Sequence, residues 1–186
     1  MAASTPSAPE LTGPGVAGAL HRLVLVRHGK AVADAPDGTD HSRALAPRGA
    51  GQAASMAAWL VERGLGRPDL VLVSSALRTA QTWEAMAPAL HPGTVREEPE
   101  LYDTSSTALV HLVAATPEEV GVLVLVGHEP VVSGAASALA GDGSDGRLAA
   151  QVLAGVGTGS AVVLELDVPW ADLQRGAARL VALHTP

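Results

Sequence analysis

Three short segments hold the residues best suited to chemistry. Arg27-His28-Gly29 follows the apolar run Leu23-Val24-Leu25-Val26, Ser74-Ser75-Ala76-Leu77-Arg78-Thr79 follows Leu70-Val71-Leu72-Val73, and Gly127-His128-Glu129-Pro130 follows Val122-Leu123-Val124-Leu125-Val126. Two histidines and two arginines thus share one setting, the end of an apolar run. A tetrahedral phosphoryl group suits that set. Each guanidinium offers a planar fork of donors to phosphate oxygens. One unprotonated imidazole can attack phosphorus in line, and a second, protonated one can neutralise the charge growing on the equatorial oxygens. An imidazole titrates near ~6.5, so small environmental shifts would place one His in each state at neutral pH. The residues alone leave open which His attacks. Gly29, lacking a Cβ, is expected to leave room for a bulky group beside the His28 ring.

The elements that position these residues are legible around them. A continuous apolar run is the pattern of a strand covered on both faces, and three such strands require helices on both sides of a parallel sheet. Helices are expected from Pro47 through Met56, Trp59 and Leu60 to a Gly64 stop, over residues 76 to about 90, over 107–114 and over 131–140. The last is ended by the Gly-rich stretch 141–146. Residues 161–166 and 178–183 read as two late strands joined by a turn around Pro169 and Gly176. The expected fold is α/β, a three-layer α/β/α sandwich with a mostly parallel sheet and one antiparallel edge. Ligands of such sheets bind beyond the carboxyl ends of the strands, where a helix starting near Ala76 would add amide donors and its positive dipole end. Residues 1–20, rich in Ala, Ser, Thr, Pro and Gly, read as a flexible N-terminal extension, and 21–186 as a single domain.

Composition removes other classes. With 12 Lys+Arg against 19 Asp+Glu the net charge is −7, so no basic stripe for nucleic acid is present. The chain has no Cys, which excludes disulfides, thiolate metal sites and Cys nucleophiles. The first twenty residues show neither a charged nor an apolar signal-peptide region, and no apolar run approaches the ~20 residues that cross a bilayer, so a cytoplasmic protein without membrane contact is expected. Phe is absent and Trp and Tyr together number four, so the core must be built from Ala, Val and Leu.

The ordered segments LVLVRHGK, LAPRGAGQA, VSSALRTAQT and VLVGHEP resemble the histidine phosphatase (phosphoglycerate mutase-like) superfamily. The short chain, the DHSRALAPRG segment and the late VGTGSAVVLEL segment are similar to its small branch, typified by the phosphohistidine phosphatase SixA. The likeness runs from about residue 22 to 186. It implies a phosphoglycerate mutase-like fold and a metal-independent phosphatase without cofactor. By the same likeness His28 is the nucleophile that carries the phosphoryl group, Arg27 and Arg78 hold it, and His128 is the charge-stabilising second His. Arg43, in HSRAL, matches a position often basic in the branch, and either reaches the phosphate or braces its own loop. Where the branch often has Lys and Pro, this chain has Gly155-Val156-Gly157, which makes the pocket rim less basic.

Relatives that cleave stable esters use a carboxylic acid to protonate the leaving alkoxide, whereas phosphohistidine leaves as imidazole and needs less help. Glu129 and Glu100 are the two candidate acids. The implied partner is a phosphorylated protein such as a phosphotransfer domain, or a small phosphate ester. Three functions compete: a phosphohistidine phosphatase, a broad phosphomonoesterase of small metabolites, and a non-catalytic phosphate or phosphoprotein sensor. Several residues carry blander readings. His21, His41, His91, His111 and His184 match no motif and are expected on the surface, and no pair has metal-ligand spacing. The Gly155–159 stretch precedes a strand and reads as a turn, Asp142, Ser144 and Asp145 as a solvated turn, Trp59 and Trp83 as packing anchors, and Trp170 as a cap on the sheet end.

Overall fold

The computed structural model describes residues 20–186, so all but the last residue of the expected N-terminal extension lies outside the described residues. Six strands form one sheet: β1 (His21–Arg27), β2 (Leu70–Val73), β3 (Thr94–Glu97), β4 (Val122–Gly127), β5 (Ala161–Leu166) and β6 (Arg179–His184). Their order is β3-β2-β4-β1-β5-β6. Neighbours from β3 to β1 are parallel, while β5 runs antiparallel to β1 and β6 to β5. The antiparallel part is thus two strands, one more than a single edge.

The alternation of Leu and Val in the apolar runs sorts them between the two faces, because successive side chains of a strand point oppositely. Leu23, Leu25, Leu72, Leu123 and Leu125 lie with α3 (Ser106–Ala114), α4 (Val131–Leu139), α5 (Gly146–Leu153) and Trp170. Val24, Val26, Val71, Val73, Val124 and Val126 face Met56 and Leu60 of α1 (Pro47–Glu62) and Met86 of α2 (Leu77–Met86), with Trp59 and Trp83 half-buried against them. The result is the α/β/α arrangement. Among the described residues no helix is long and apolar enough to cross a membrane.

Several local expectations are corrected. The second helix ends at Met86 and passes into a 310 turn, Ala87–Ala89, because Pro88 offers no amide hydrogen to continue it. Strand β3 and helix α5 were not expected. Asp145 is a helix cap instead of part of a solvated turn: its Oδ1 accepts from the amides of Arg147 and Leu148 and starts α5. Neither His21 nor His184 lies on the surface, both being buried. His21 Nδ1 meets the Val120 carbonyl, its Nε2 meets Glu118, and its ring packs on Trp170, whose indole N–H donates to the same carbonyl.

Candidate active site

Strand register assembles the site. Arg27 pairs with Gly127 across β1 and β4, and Val73 with Val126 across β2 and β4. His28, Ser74 and His128 are each the next residue, so three adjacent strands deliver them to one edge. The amide of His28 donates to the Gly127 carbonyl and that of Ser74 to the Val126 carbonyl, which extends the ladder by one step.

Two glycines set the turn after β1. A Cβ on Gly29 would lie 2.5 Å from the Gly49 carbonyl oxygen, so the glycine permits close approach of α1 and does not open space beside the His28 ring, as had been expected. Thr82 Oγ1 accepts from the Gly29 amide at 3.0 Å, and Gln52 Oε1 from the Lys30 amide at 2.9 Å. The turn is thereby held from both α1 and α2.

Arg78, buried in the first turn of α2, stands between the two imidazoles. Its Nε is 3.3 Å from His28 Nε2 and its Nη2 is 3.3 Å from His128 Nδ1, with ring centroids 5.3 Å apart. Hydrogen-bond chemistry then assigns the tautomers. His28 Nδ1 lies 2.7 Å from the Gly29 carbonyl, which only accepts, so Nδ1 carries the hydrogen and Nε2 presents its lone pair. A guanidinium only donates, so His128 Nδ1 also presents a lone pair, and its Nε2 hydrogen meets Ser74 Oγ at 2.8 Å. Both lone pairs converge on one edge of Arg78.

Electrostatics favour neutral rings. Burial chiefly, and then the charges of Arg78, Arg27 and Arg43, push His28 down to about 4 against the opposing Gly29 carbonyl contact. Burial again leads for His128, followed by Arg78 and His28, and holds it at about 3. The expectation of one protonated His is therefore not met by the pocket's own field. The charge of an entering dianion would have to draw that proton from solvent.

The remaining candidates fall at different distances from this centre. Arg27 donates from Nη1 to the Val156 carbonyl at 2.6 Å, and its buried Nε has no partner among the described residues. Arg43 braces its own loop, as one of its two readings had it: its Nε donates to the Val32 carbonyl and its Nη1 to Asp40 Oδ1. Glu129 braces the rim, since Oε2 accepts from the Ser133 amide and Oε1 from the Val156 amide. Glu100 is exposed on the 310 turn Pro99–Leu101. His41 lies beside the site, with Nε2 3.0 Å from Ser75 Oγ and its ring edge-on to Tyr102. Sequence reasoning passed over Ser74, Asp40 and Tyr102. Ser74 and Asp40 sit inside the quoted segments VSSALRTAQT and DHSRALAPRG, and a polar residue directly after a buried strand was the available signal for Ser74. A cavity of about 550 Å3 lined by Asp69, Leu72, Arg96 and Val120 lies at the opposite end of the parallel strands, away from both imidazoles.

Two imidazoles facing one edge of a buried arginine, at the carboxyl ends of parallel strands, make the candidate site of this α/β protein. Residues 23–121 match the family described as the histidine phosphatase superfamily (branch 1). Over 163 residues the chain is 34% identical to the uncharacterized protein Rv1276c of Mycobacterium tuberculosis, covering 87% of this chain and 99% of that one. Among solved structures, one described as the phosphohistidine phosphatase SixA from Nakamurella multipartitia superposes with a TM-score of 0.77 at 29% identity, covering 90% of this chain and 96% of that one. The protein histidine phosphatase SixA complexed with tungstate gives a TM-score of 0.71 at 25% identity, covering 89% and 97%. The chain belongs to the histidine phosphatase superfamily, branch 1, and within it to the SixA type. It is therefore a phosphatase.

Proposed function

We propose that the protein removes phosphoryl groups from phosphohistidine on a protein partner, such as a phosphotransfer domain, through a covalent phosphohistidine on His28 and without a metal ion. The observation that carries this reading is the Arg78 edge, whose Nε and Nη2 each stand 3.3 Å from an imidazole lone pair. An oxyanion seated there would meet a nucleophile, a guanidinium fork and a second imidazole together. The SixA relative whose structure holds tungstate supports a tetrahedral anion as the ligand.

In the first step His28 Nε2 attacks phosphorus, the bond from phosphorus to the partner's imidazole nitrogen breaks, and that nitrogen takes a proton from solvent. His128, protonated at Nδ1 as the dianion enters, donates to an equatorial oxygen. In the second step water attacks phosphorus, the bond to Nε2 breaks, a proton passes to solvent and phosphate leaves.

Phosphohistidine fits because the nearby carboxylates are poorly placed to act as acids. Asp40 is held down to about 2, chiefly by its hydrogen bond from Arg43, so it stays ionised. Both oxygens of Glu129 already accept backbone amides. A leaving imidazole needs no such acid, whereas an alkoxide does. The test is labelling with a phosphohistidine peptide: His28→Ala should lose turnover and the trapped acid-labile phosphate, and chelators should leave wild-type turnover intact. Full activity in His28→Ala would refute the proposal. Faster turnover of sugar or aryl phosphates than of the peptide would reassign the substrate, and oxyanion binding with no turnover on any substrate would make the protein a sensor.

A further inference from the structure

A guanidinium has two edges on which parallel N–H groups form a fork, and in Arg78 they face different ways. The Nε–Nη2 edge faces His28 and His128. The Nη1–Nη2 end faces Asp40, with Nη1 donating to the Asp40 carbonyl at 2.7 Å and Nη2 to its Oδ2 at 2.9 Å. Asp40 is itself tied from two sides. Arg43 Nη1 donates to Oδ1 at 2.8 Å and the Tyr102 hydroxyl to Oδ2 at 3.2 Å. Tyr102 also lies edge-on to His128, with centroids 5.7 Å apart. An arginine side chain left alone would sample many rotamers, and its fork would seldom meet both imidazoles at once.

We propose that Asp40 is a positioning residue which, anchored by Arg43 and Tyr102, clamps the far end of Arg78 and so presents its Nε–Nη2 edge to the phosphoryl group. This rests on the phosphatase reading of the pocket. The clamp accounts for the place of Arg43, which acts on the site through Asp40 without reaching the anion. It also accounts for a carboxylate beside an anion site: Asp40 occupies donors that the substrate does not use.

The test is a double-mutant cycle read in kcat and KM with a phosphohistidine peptide, together with tungstate affinity by calorimetry. Asp40→Ala should lower kcat by about tenfold to 100-fold, the range for losing a charge-assisted hydrogen bond in the transition state, with a smaller change in KM. Asp40→Asn, which keeps an oxygen for Nη2, should recover most of that loss and serves as the test should Asp40→Ala fail to fold. With Arg78→Lys as background, Asp40→Ala should cost less than about threefold, since the fork it presents is gone. An equal loss in both backgrounds would overturn the proposal, as would an unaltered kcat. Tighter tungstate binding by Asp40→Ala would also overturn it, because the carboxylate would then be competing with the anion. A wild-type protein that neither turns over the peptide nor binds tungstate would instead overturn the reading of the pocket, and the proposal with it.

Discussion

Proton uptake on binding tests the pocket electrostatics most directly. In the free protein His28 is held at about 4 and His128 at about 3. An ordinary imidazole titrating near 6.5 would be roughly 90% protonated at pH 5.5, whereas one titrating near 4 would be roughly 3% protonated. Both rings should therefore read as neutral in 15N-resolved NMR at pH 5.5, His28 as the Nδ1–H tautomer and His128 as the Nε2–H tautomer. Protonating His128 at pH 7 costs about 5 kcal/mol on this scale. A tungstate dianion about 4 Å away returns about 4 kcal/mol per charge at an effective dielectric of about 20, or about 8 in all. The anion wins. The same balance holds for His28, whose protonation costs about 4 kcal/mol, so calorimetry at pH 7 in buffers of different ionisation heats should show one or more protons taken up per tungstate bound, with the new N–H on a ring nitrogen that faces Arg78. A free-protein midpoint near 6.5 for either ring, or no proton uptake, would refute the reasoning. The same shifts set the sign of acid lability. Both values are depressed in the fold, so the stability they contribute is present above about 6.5 and is lost as pH falls through about 4 and about 3.

Three further outcomes follow from single contacts. Ser74→Ala removes the fully buried acceptor of the His128 Nε2 hydrogen, so it should cost about 1–3 kcal/mol of stability and about tenfold in kcat; thermal melting and steady-state rates measure both, and unchanged kcat would deny Ser74 an orienting role. Glu129→Gln can serve only one of the two amides, so the melting temperature should fall while phosphohistidine turnover stays within about threefold; a loss of about 100-fold would make Glu129 the acid. Gly29→Ala pushes a methyl into the Gly49 backbone, which has no flexible side chain to yield, so a loss of about 1–3 kcal/mol with weakened tungstate binding is expected in denaturation and calorimetry; wild-type stability would show that α1 can move away freely.

How much was legible depended on whether a residue's role is local. The runs ending at Val26, Val73 and Val126 report strands covered on both faces, and that burial is written in the residues themselves. Strand β3 carries no such signal, because Thr94, Val95, Arg96 and Glu97 form an exposed edge that pairs on one side only. Helix α5 was hidden for a related reason: it buries only Val152 fully, and its cap lies within a Gly-rich stretch that reads as a loop. His21 shows the opposite failure. Nothing near it in the chain predicts burial, since its partners Glu118 and Val120 lie 97 and 99 residues away.

The site divides along the same line. Arg27, His28, Arg78 and His128 could be singled out because each ends a strand, directly follows one or lies in the first turn of a helix, and a residue so placed must reach the carboxyl edge of the sheet. What each does there is settled by partners on other segments. Ser74 directly follows β2 and Asp40 lies in the loop between β1 and α1, and the meaning of both appears only with the atoms 54 and 38 residues away that they meet. Gly29 makes the point without a hydrogen bond. Read alone it leaves space for a ligand, but beside Gly49 it is a contact between two backbones, linking the RHG turn to the start of α1. A glycine whose missing side chain faces another backbone cannot be told by sequence from one that faces solvent. The two motifs are therefore one packing unit, and changing either glycine should disturb the same turn that aims His28.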